Sequence, residues 1–294
     1  MNYREPIKLQ MNENVAYIIG VLQGDGTVRE YRNKNGWVSA LYVSIAVGRK
    51  EADYAKIVAD VIRDTFSYEA RIYNEKTAIR VVISRRDIVR SLEKFKHKME
   101  IPNEIIEAGN GVVVSYLRGL FDTDGSCYGS NRYVSGIIEF ANKQERLVMQ
   151  VKKYLEGIGV YSNVRIGRKK SYDPVFRLII TNKSNIIGFF DRVGFKHPKK
   201  QERLSFFVEA YADVYDRFMP KRAETAIMGI LADGNEATIN DIAENLHRHR
   251  ETIKEHLERM EKDGKVGKRT VYFNRWGEVK KSRYKRYLWS AVRL

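Results

Sequence analysis

Two aspartates occupy the same place in two copies of one sequence pattern. The first copy is YIIGVLQGDG, which contains Asp25, and the second is YLRGLFDTDG, which contains Asp124. Both read Tyr-apolar-x-Gly-apolar-apolar-x-x-Asp-Gly. Two carboxylates that come together can share one proton, or they can hold hard divalent cations such as Mg²⁺. The repeat therefore indicates paired acids, and the rest of the chain must decide between these two uses.

Each copy is apolar enough to form a buried helix, and its central glycine is the informative residue. Glycine inside a helix costs about 1 kcal/mol relative to alanine, so Gly20 and Gly119 indicate that another backbone comes close there. If the two helices cross at these glycines, Asp25 and Asp124 emerge at the same end, near a pseudo-twofold axis. A single Gly-Asp-Gly is also typical of a turn, but two copies in register favour a shared site.

The charge balance points to the kind of partner. The chain of 294 residues carries 53 Lys and Arg against 37 Asp and Glu, a net charge of +16. Such an excess predicts a polyanionic partner, nucleic acid first and an anionic membrane second. In a protein that binds a polyphosphate, paired acids are better suited to binding metal ions than to sharing a proton.

Other features narrow the class of protein further. The single cysteine, Cys127, excludes a disulfide framework and a cysteine-rich zinc site. The sequence has no run of about 20 apolar residues and no apolar signal core after Met1. We therefore expect a soluble, cytoplasmic protein of a prokaryotic or archaeal host, with no membrane partner.

The segments that follow the two motifs also repeat, and they predict an α+β fold of two pseudo-symmetric αββαββα halves. In the first half we expect strands at 27–31 and 37–47, a helix at 51–65, strands at 69–73 and 78–84, and a helix at 87–95. In the second half we expect strands at 135–140, 164–167 and 176–181, and helices at 144–158 and 186–193.

A different pattern follows the repeat. Thr238 is placed to cap a short helix, a second amphipathic helix is expected at 251–262, and Gly264 is placed to end it. A basic hairpin with its turn at Trp276 comes last. This order is typical of a winged helix-turn-helix. The predicted domains are thus the two halves, 1–110 and 111–220, and a winged-helix domain, 221–294.

The two motifs resemble the LAGLIDADG motif of homing endonucleases, in the form that carries both copies on one chain. The resemblance covers about residues 10–220. It implies that a saddle-shaped antiparallel sheet of each half lies in the DNA major groove, and that both strands are cut across the minor groove to leave short 3′ overhangs. Asp25 and Asp124 are then the metal-binding acids. We add Gly24 and Thr123, which precede them, to the candidate metal-binding residues, with Mg²⁺ as the cofactor and Mn²⁺ as a substitute.

The resemblance also implies basic or polar residues near the metals, at the end of the second strand of each half. Lys143 and Arg49 match this place and become candidate catalytic residues, since a cation there can stabilise charge that develops on phosphate. Two positions depart from the motif. Gln23 stands where the second copy has Asp122, which leaves the metal-binding acids untouched. Arg118 replaces a small residue and is expected to point away from the helix crossing.

Strand alternation places polar side chains on one face of each sheet, and this face is predicted to contact DNA. Arginine can read guanine in the major groove, whereas lysine mostly meets phosphate. The candidate DNA-binding residues of the sheets and their loops are Arg29, Arg32, Lys34, Tyr42, Ser44, Arg80, Arg132, Arg165, Arg168, Lys169 and Arg177. Those of the winged helix are Arg250, Lys254, Lys268, Arg269, Lys280, Lys281 and Arg283.

We expect a monomeric, metal-dependent DNA endonuclease with a long, nearly asymmetric duplex target. The ends of the chain lack the splice-junction residues of an intein, so an intron-encoded or free-standing enzyme is expected. Two alternatives stay open. One is a transcription regulator that binds DNA on the same scaffold without cutting it, and the retained acids argue against it. The other is a maturase that helps an intron RNA to fold, which a preference for RNA over duplex DNA would reveal.

Overall fold

The computed structural model describes residues 5–96, 99–130, 135–167, 174–217, 220–246, 248–273 and 284–292. The chain divides into two compact units, the first with residues 1–128 and 136–206 and the second with 129–135 and 207–294. Among the described helices, none has the length and apolar character needed to cross a membrane. The predicted residues that lie outside the described ranges are Arg132, Arg168, Lys169, Trp276, Lys280, Lys281 and Arg283.

The first half has the predicted αββαββα order. Its elements are α1 (Glu13–Asp25), β1 (Gly26–Arg32), β2 (Val38–Gly48), α2 (Ala52–Phe66), β3 (Arg71–Asn74), β4 (Ala78–Ile83) and α3 (Arg86–Glu93). The strands form an antiparallel sheet in the order β1-β2-β4-β3. Alternation buries Val43 and Ile45 of β2 in the core with Ile62 of α2. The polar side chains of the strands are thereby left on the opposite face.

The second half repeats this arrangement after a short helix, α4 (Asn103–Glu107). Its elements are α5 (Asn110–Asp124), β5 (Gly125–Ser130), β6 (Ser135–Asn142), α6 (Glu145–Gly157), β7 (Asn163–Gly167), β8 (Val175–Ile180) and α7 (Lys183–Arg192). The sheet order β5-β6-β8-β7 matches that of the first half. The predicted α+β class with two pseudo-symmetric halves is therefore confirmed.

Helices α1 and α5 join the two halves through direct backbone contact. A Cβ atom on Gly20 would overlap the carbonyl oxygen of Tyr116, and a Cβ atom on Gly119 would overlap that of Tyr17. No side chain larger than hydrogen fits at either position without separating the helices. The two glycines lie at the crossing, where the sequence placed them, and the surrounding apolar residues of both helices are buried.

The remaining elements follow the second half. They are α8 (Pro198–Arg217), α9 (Pro220–Ile230), a 3₁₀ turn (Ala232–Gly234), α10 (Ile239–Asn245), α11 (Arg250–Lys262), β9 (Val266–Phe273) and β10 (Tyr284–Ala291). Strands β9 and β10 pair antiparallel, and Trp289 of β10 also forms a bridge with Ala237. Ile242, Leu257 and Trp289 lie in the apolar core of the second unit.

Local sequence signals account for the helix ends of this unit. Thr238 caps α10 through a capping box with Asp241, in which each side chain bonds the backbone of the other residue. Gly264, just after α11, has a φ of +70°, the left-handed conformation that glycine adopts at helix ends. The order of helices and hairpin is that of the predicted winged helix, while the winged-helix assignment and the domain bounds stay predictions.

Replacing Gly20 with alanine tests the helix crossing. We expect Gly20→Ala to lower the free energy of unfolding by about 1–3 kcal/mol or more, because the added methyl group overlaps a backbone carbonyl. Denaturant unfolding measures this change. Gly157→Ala in α6 is the matched control, since an added Cβ there meets no described atom within 4 Å. The control is expected to gain up to about 1 kcal/mol, and an unchanged stability of Gly20→Ala would contradict the crossing.

Candidate functional site

Asp25 and Asp124 are the last residues of α1 and α5. Both helices end in the same way, because the amide of the following glycine donates to a carbonyl in the last turn. A Cβ atom on Gly24 would overlap the side chain of Thr123, so the final turns of the helices are in contact. Asp25 is exposed and Asp124 is half-buried. The crossing thus brings both acids to the same end of the helix pair.

Asn142, the last residue of β6, contacts one of the acids. Its Nδ2 donates to Oδ2 of Asp124 at 3.1 Å. Lys143, which the sequence analysis selected instead, comes next and is exposed. Arg49 is also exposed, and its Nη1 donates to the carbonyl of Lys76 at 3.3 Å. Asn142, one position before Lys143, is therefore the residue of this strand end that bonds Asp124, and the roles of Lys143 and Arg49 stay predictions.

Lys200, in the first turn of α8, was missed altogether. Its Nζ lies within hydrogen-bond distance of four carbonyls at the end of α5 and just after it, at 2.6 Å from Asp122 and Gly125, 3.2 Å from Phe121 and 3.3 Å from Thr123. The ammonium thereby offsets the negative end of the helix dipole. A lysine in the first turn of a helix is unfavourable for that helix. This unfavourable placement was the feature of the sequence that could have indicated another role for Lys200.

The charged side chain of Lys200 interacts electrostatically with the acids. Burial lowers the pKa of Lys200, and the carboxylates of Asp122, Asp25, Glu51 and Asp124 act in the opposite direction. A half-buried cation therefore accompanies the two acids at the end of the helix pair.

The sixth motif position shows how the two halves differ. Gln23 and Asp122 are both buried, and each accepts a hydrogen bond from a tyrosine of the opposite motif, Tyr116 for Gln23 and Tyr17 for Asp122. Gln23 also donates from Nε2 to the carbonyl of Phe95 at 3.1 Å. The first half thus requires a side chain that both donates and accepts.

The equivalent position in the second half faces only donors. Asp122 accepts from Tyr17 at 2.7 Å and from the amides of Lys196 and His197 at 3.2 and 3.1 Å. Both oxygens of a carboxylate accept hydrogen bonds, so Asp122 can satisfy all three donors. An amide at this position would direct its own NH₂ group at one or more of these donors. Burial raises the pKa of Asp122 to about 6, although these hydrogen bonds act in the opposite direction. Arg118 reaches the carbonyl of Val193 instead of the helix crossing, as expected.

The polar face of the first sheet forms a groove. The residues that line it are Arg29, Tyr42, Ser44, Arg71, Tyr73, Glu75, Arg80, Val82 and Ser84. Ser44 lines this groove but is only 2% exposed, and Nη1 of Arg80 lies 3.4 Å from its hydroxyl; its contact with DNA stays a prediction. Ser44 therefore supports Arg80 and is covered from solvent. Tyr42 stacks on Tyr31 with ring centroids 6.1 Å apart.

Several predicted DNA-binding cations form ion pairs within the chain. Arg32 pairs with Glu30, and Lys34 is exposed in the hairpin turn. In the second unit, Lys268 pairs with Glu261 at 2.7 Å, Arg269 pairs with Glu236, and Lys254 lies 3.9 Å from Glu258, while Arg250 is exposed at the start of α11. Exposed pairs of this kind contribute little to stability, so a phosphate can compete for these cations.

Comparisons with known proteins agree with the motif. Residues 111–194 match the family model of a LAGLIDADG-like domain, which confirms the resemblance found in the sequence. The chain is similar to the homing endonuclease I-ApeI of Aeropyrum pernix, with 24% identity over 202 residues that cover 64% of this chain and 84% of that protein. A crystal structure of I-DmoI in complex with DNA and Mn gives a TM-score of 0.47 and 16% identity, over 63% of this chain and 97% of that chain.

Other relatives are much longer proteins. The ribonucleoside-diphosphate reductase NrdEB subunit alpha of Bacillus subtilis is 27% identical over 173 residues, which cover 54% of this chain and 16% of that protein. The first curated relatives are matched over only 10–16% of their own length. Their similarity to this chain is thus confined to one segment of each.

The raised pKa of Asp122 predicts a pH-dependent stability. Between about pH 4 and pH 6 the folded protein binds more protons than the unfolded chain, because the carboxyl has an ordinary value of 3.8 and a pKa of about 6 in the fold. The free energy of unfolding should therefore fall as the pH rises through this window, by up to about 3 kcal/mol. Urea unfolding of the wild type and Asp122→Asn, both in a metal chelator, measures it. Equal slopes against pH for the two proteins would contradict the assignment.

Proposed function

We propose that this chain, in which residues 111–194 form a LAGLIDADG-like domain, is a site-specific double-strand DNA endonuclease that hydrolyses phosphodiesters with a divalent metal. The observation that carries the proposal is the placement of Asp25 and Asp124 at one end of two crossed helices. An arginine-containing groove, a net charge of +16 and the similarity to a homing endonuclease support it.

The oxygen ligands at the helix ends suit Mg²⁺, with Mn²⁺ as a substitute. Carboxylate and carbonyl oxygens are the ligands that hard cations prefer, and Asp25 and Asp124 would hold the metal with the help of Gly24 and Thr123. The carbonyl of Thr123 already accepts from the ammonium of Lys200, so this helix end favours cations. Bound metal would supply Lewis-acid charge to the attacking and leaving oxygens of the phosphodiester.

Neighbouring side chains prepare the site. Asn142 orients the carboxylate of Asp124 through the hydrogen bond at 3.1 Å. The ammonium of Lys200 interacts electrostatically with Asp25 and Asp124, and its charge would help to stabilise charge that develops on phosphate. Lys143 and Arg49, exposed after the second strand of each half, are proposed to meet the phosphates next to the cut.

Both acids come from one chain, so a monomer carries a complete site. Two halves whose sheets carry different polar residues suit a long, nearly asymmetric duplex. We place the protein in the cytoplasm of a prokaryotic or archaeal host, encoded by an intron or free-standing.

The C-terminal elements are proposed to form a winged helix that adds a second DNA contact. Helices α10 and α11 and the basic hairpin β9–β10 provide the required parts. Arg250 and Lys254 would approach base edges, and Lys268 and Arg269 would meet phosphates. A tethered second module raises affinity by effective concentration, without any new contact in the first module.

Cleavage of a randomised duplex library tests the proposal. The wild type is incubated with Mg²⁺ and the library, and the cut ends are sequenced. We expect cleavage at one long site, with complete loss in the double variant Asp25→Asn/Asp124→Asn, because neutral amides remove both negative charges that would hold the divalent metal. A binding selection on the same library, with Ca²⁺ in place of Mg²⁺, measures sequence preference separately.

The outcomes separate the alternatives. The double variant should still enrich the wild-type site in the binding selection, which shows that it is folded. Enrichment of a defined sequence without cleavage by the wild type would support a transcription regulator. Preferential binding of an intron RNA over duplex DNA would support a maturase.

A further inference from the structure

One arginine occupies the same register position in each sheet. Arg80 of β4 lies opposite Ala46 of β2, and Arg177 of β8 lies opposite Ala141 of β6. Both strands are inner strands of their sheets. On the side of the second strand the neighbour is an alanine in both halves, whose small side chain leaves space beside the guanidinium. On the other side Arg80 lies opposite Tyr73, and Arg177 lies opposite Arg165. The two arginines are therefore equivalent under the pseudo-twofold axis.

A carboxylate fixes each of these arginines. Nε of Arg80 donates to Oε1 of Glu75 at 2.8 Å, and its Nη1 lies 3.4 Å from the hydroxyl of Ser44. Nη1 of Arg177 donates to Oε1 of Glu139, also at 2.8 Å. Bonds between charged partners are stronger than neutral ones and hold the guanidinium plane in one orientation.

The two carboxylates are held differently. Glu139 is an almost buried acid, with 11% of its side chain exposed, and its second oxygen accepts from Tyr128 at 2.7 Å. Glu75 comes from the turn between β3 and β4 and is 45% exposed. Ser44 takes the register position in the first sheet that Glu139 takes in the second. Equal placement of the arginines is thus achieved with carboxylates from unrelated positions.

The remaining donors match one base. A guanidinium has five N–H donors, and the bonds to carboxylate and hydroxyl leave others available on each arginine. Two parallel donors fit O6 and N7 of guanine, which are both acceptors in the major groove. Glu139 accepts from Arg177 through one oxygen and from Tyr128 through the other, so its carboxylate is directed at groups of the protein.

The positions of the arginines relative to the acids locate the bases. In the first half, Gly26, which follows Asp25, pairs with Ile45, the neighbour of Ala46. In the second half, Asn142, the neighbour of Ala141, bonds Asp124. Each arginine is therefore one strand away from the acid of its own half, and the bases it reaches lie close to the cut.

We propose that Arg80 and Arg177 each read a guanine, and that the target carries one G·C pair at the same short distance on either side of the cut, with the two guanines on opposite strands. The strand relation follows because the pseudo-twofold axis that exchanges the halves also exchanges the strands of a duplex. Glu75 and Glu139 are positioning residues that aim the arginines. This inference rests on the proposed function, and it specifies the part of the substrate nearest to the cut.

Binding profiles test the inference without relying on cleavage. Duplexes that carry every single base-pair substitution of the selected site are bound in Ca²⁺ by the wild type, Arg80→Lys and Arg177→Lys. Lysine keeps the charge but loses the paired donors. Each variant should lose about 10- to 100-fold discrimination at one G·C pair, on opposite sides of the centre, while its affinity for unrelated duplex stays the same. Arg63→Lys is the control, because Arg63 also pairs with a carboxylate, at 2.6 Å from Asp60, but lies on helix α2.

Glu139→Gln separates positioning from general structure. The variant should lose discrimination at the same pair as Arg177→Lys, yet bind unrelated duplex more tightly, because a negative charge leaves the second sheet. A merely structural role would weaken binding to both kinds of duplex and would overturn the positioning role.

The remaining outcomes distinguish failure of the inference from failure of the proposed function. Unchanged profiles for both arginine variants, or losses on the same side of the centre, would overturn the inference and leave the endonuclease proposal standing. A wild type that prefers no duplex sequence at all would overturn the proposed function itself, and the inference with it.

Discussion

The contact between the backbones of α1 and α5 is the constraint on which the first unit depends. Gly20 and Gly119 have no room for a side chain because a carbonyl of the opposite helix fills it. Closely packed helices must end together if their last residues are to share a site, and both helices do end at an aspartate followed by glycine. The same contact that joins the two halves therefore also assembles the acids, so stability and chemistry cannot be varied independently here.

Pseudo-symmetry places residues at equivalent positions in the two halves. The hydrogen-bond donors and acceptors around each position determine which residue type occupies it. Gln23 faces a carbonyl and Asp122 faces amides, so an amide and a carboxylate stand at equivalent places. Arg80 and Arg177 are equivalent too, although their carboxylates come from different elements. A buried carboxylate costs free energy that its donors only partly offset, as the raised pKa of Asp122 indicates. The two halves thus keep one geometry while their local chemistry diverges.

Local sequence signals were sufficient for most of the fold, and for the helix crossing that places Asp25 and Asp124 at the same end. The glycines and aspartates are short-range features of one helical motif, and alternation located the strands to within a few residues. Asn142 was missed because strand alternation does not say where a strand ends. Lys200 was missed because its partners are carbonyls of a helix far away in the chain. Ser44 was placed on the correct face, but alternation could not reveal that Arg80 covers it.

Asp25 and Asp124 are proposed to serve one site together. Strand-resolved cleavage of the target duplex by the single variants Asp25→Asn and Asp124→Asn, with each strand labelled separately, measures whether they do. If the helix crossing makes the acids interdependent, each variant loses the cut in both strands. A variant that still nicks one strand at the wild-type rate would show that each acid serves its own cut, and would contradict the shared site.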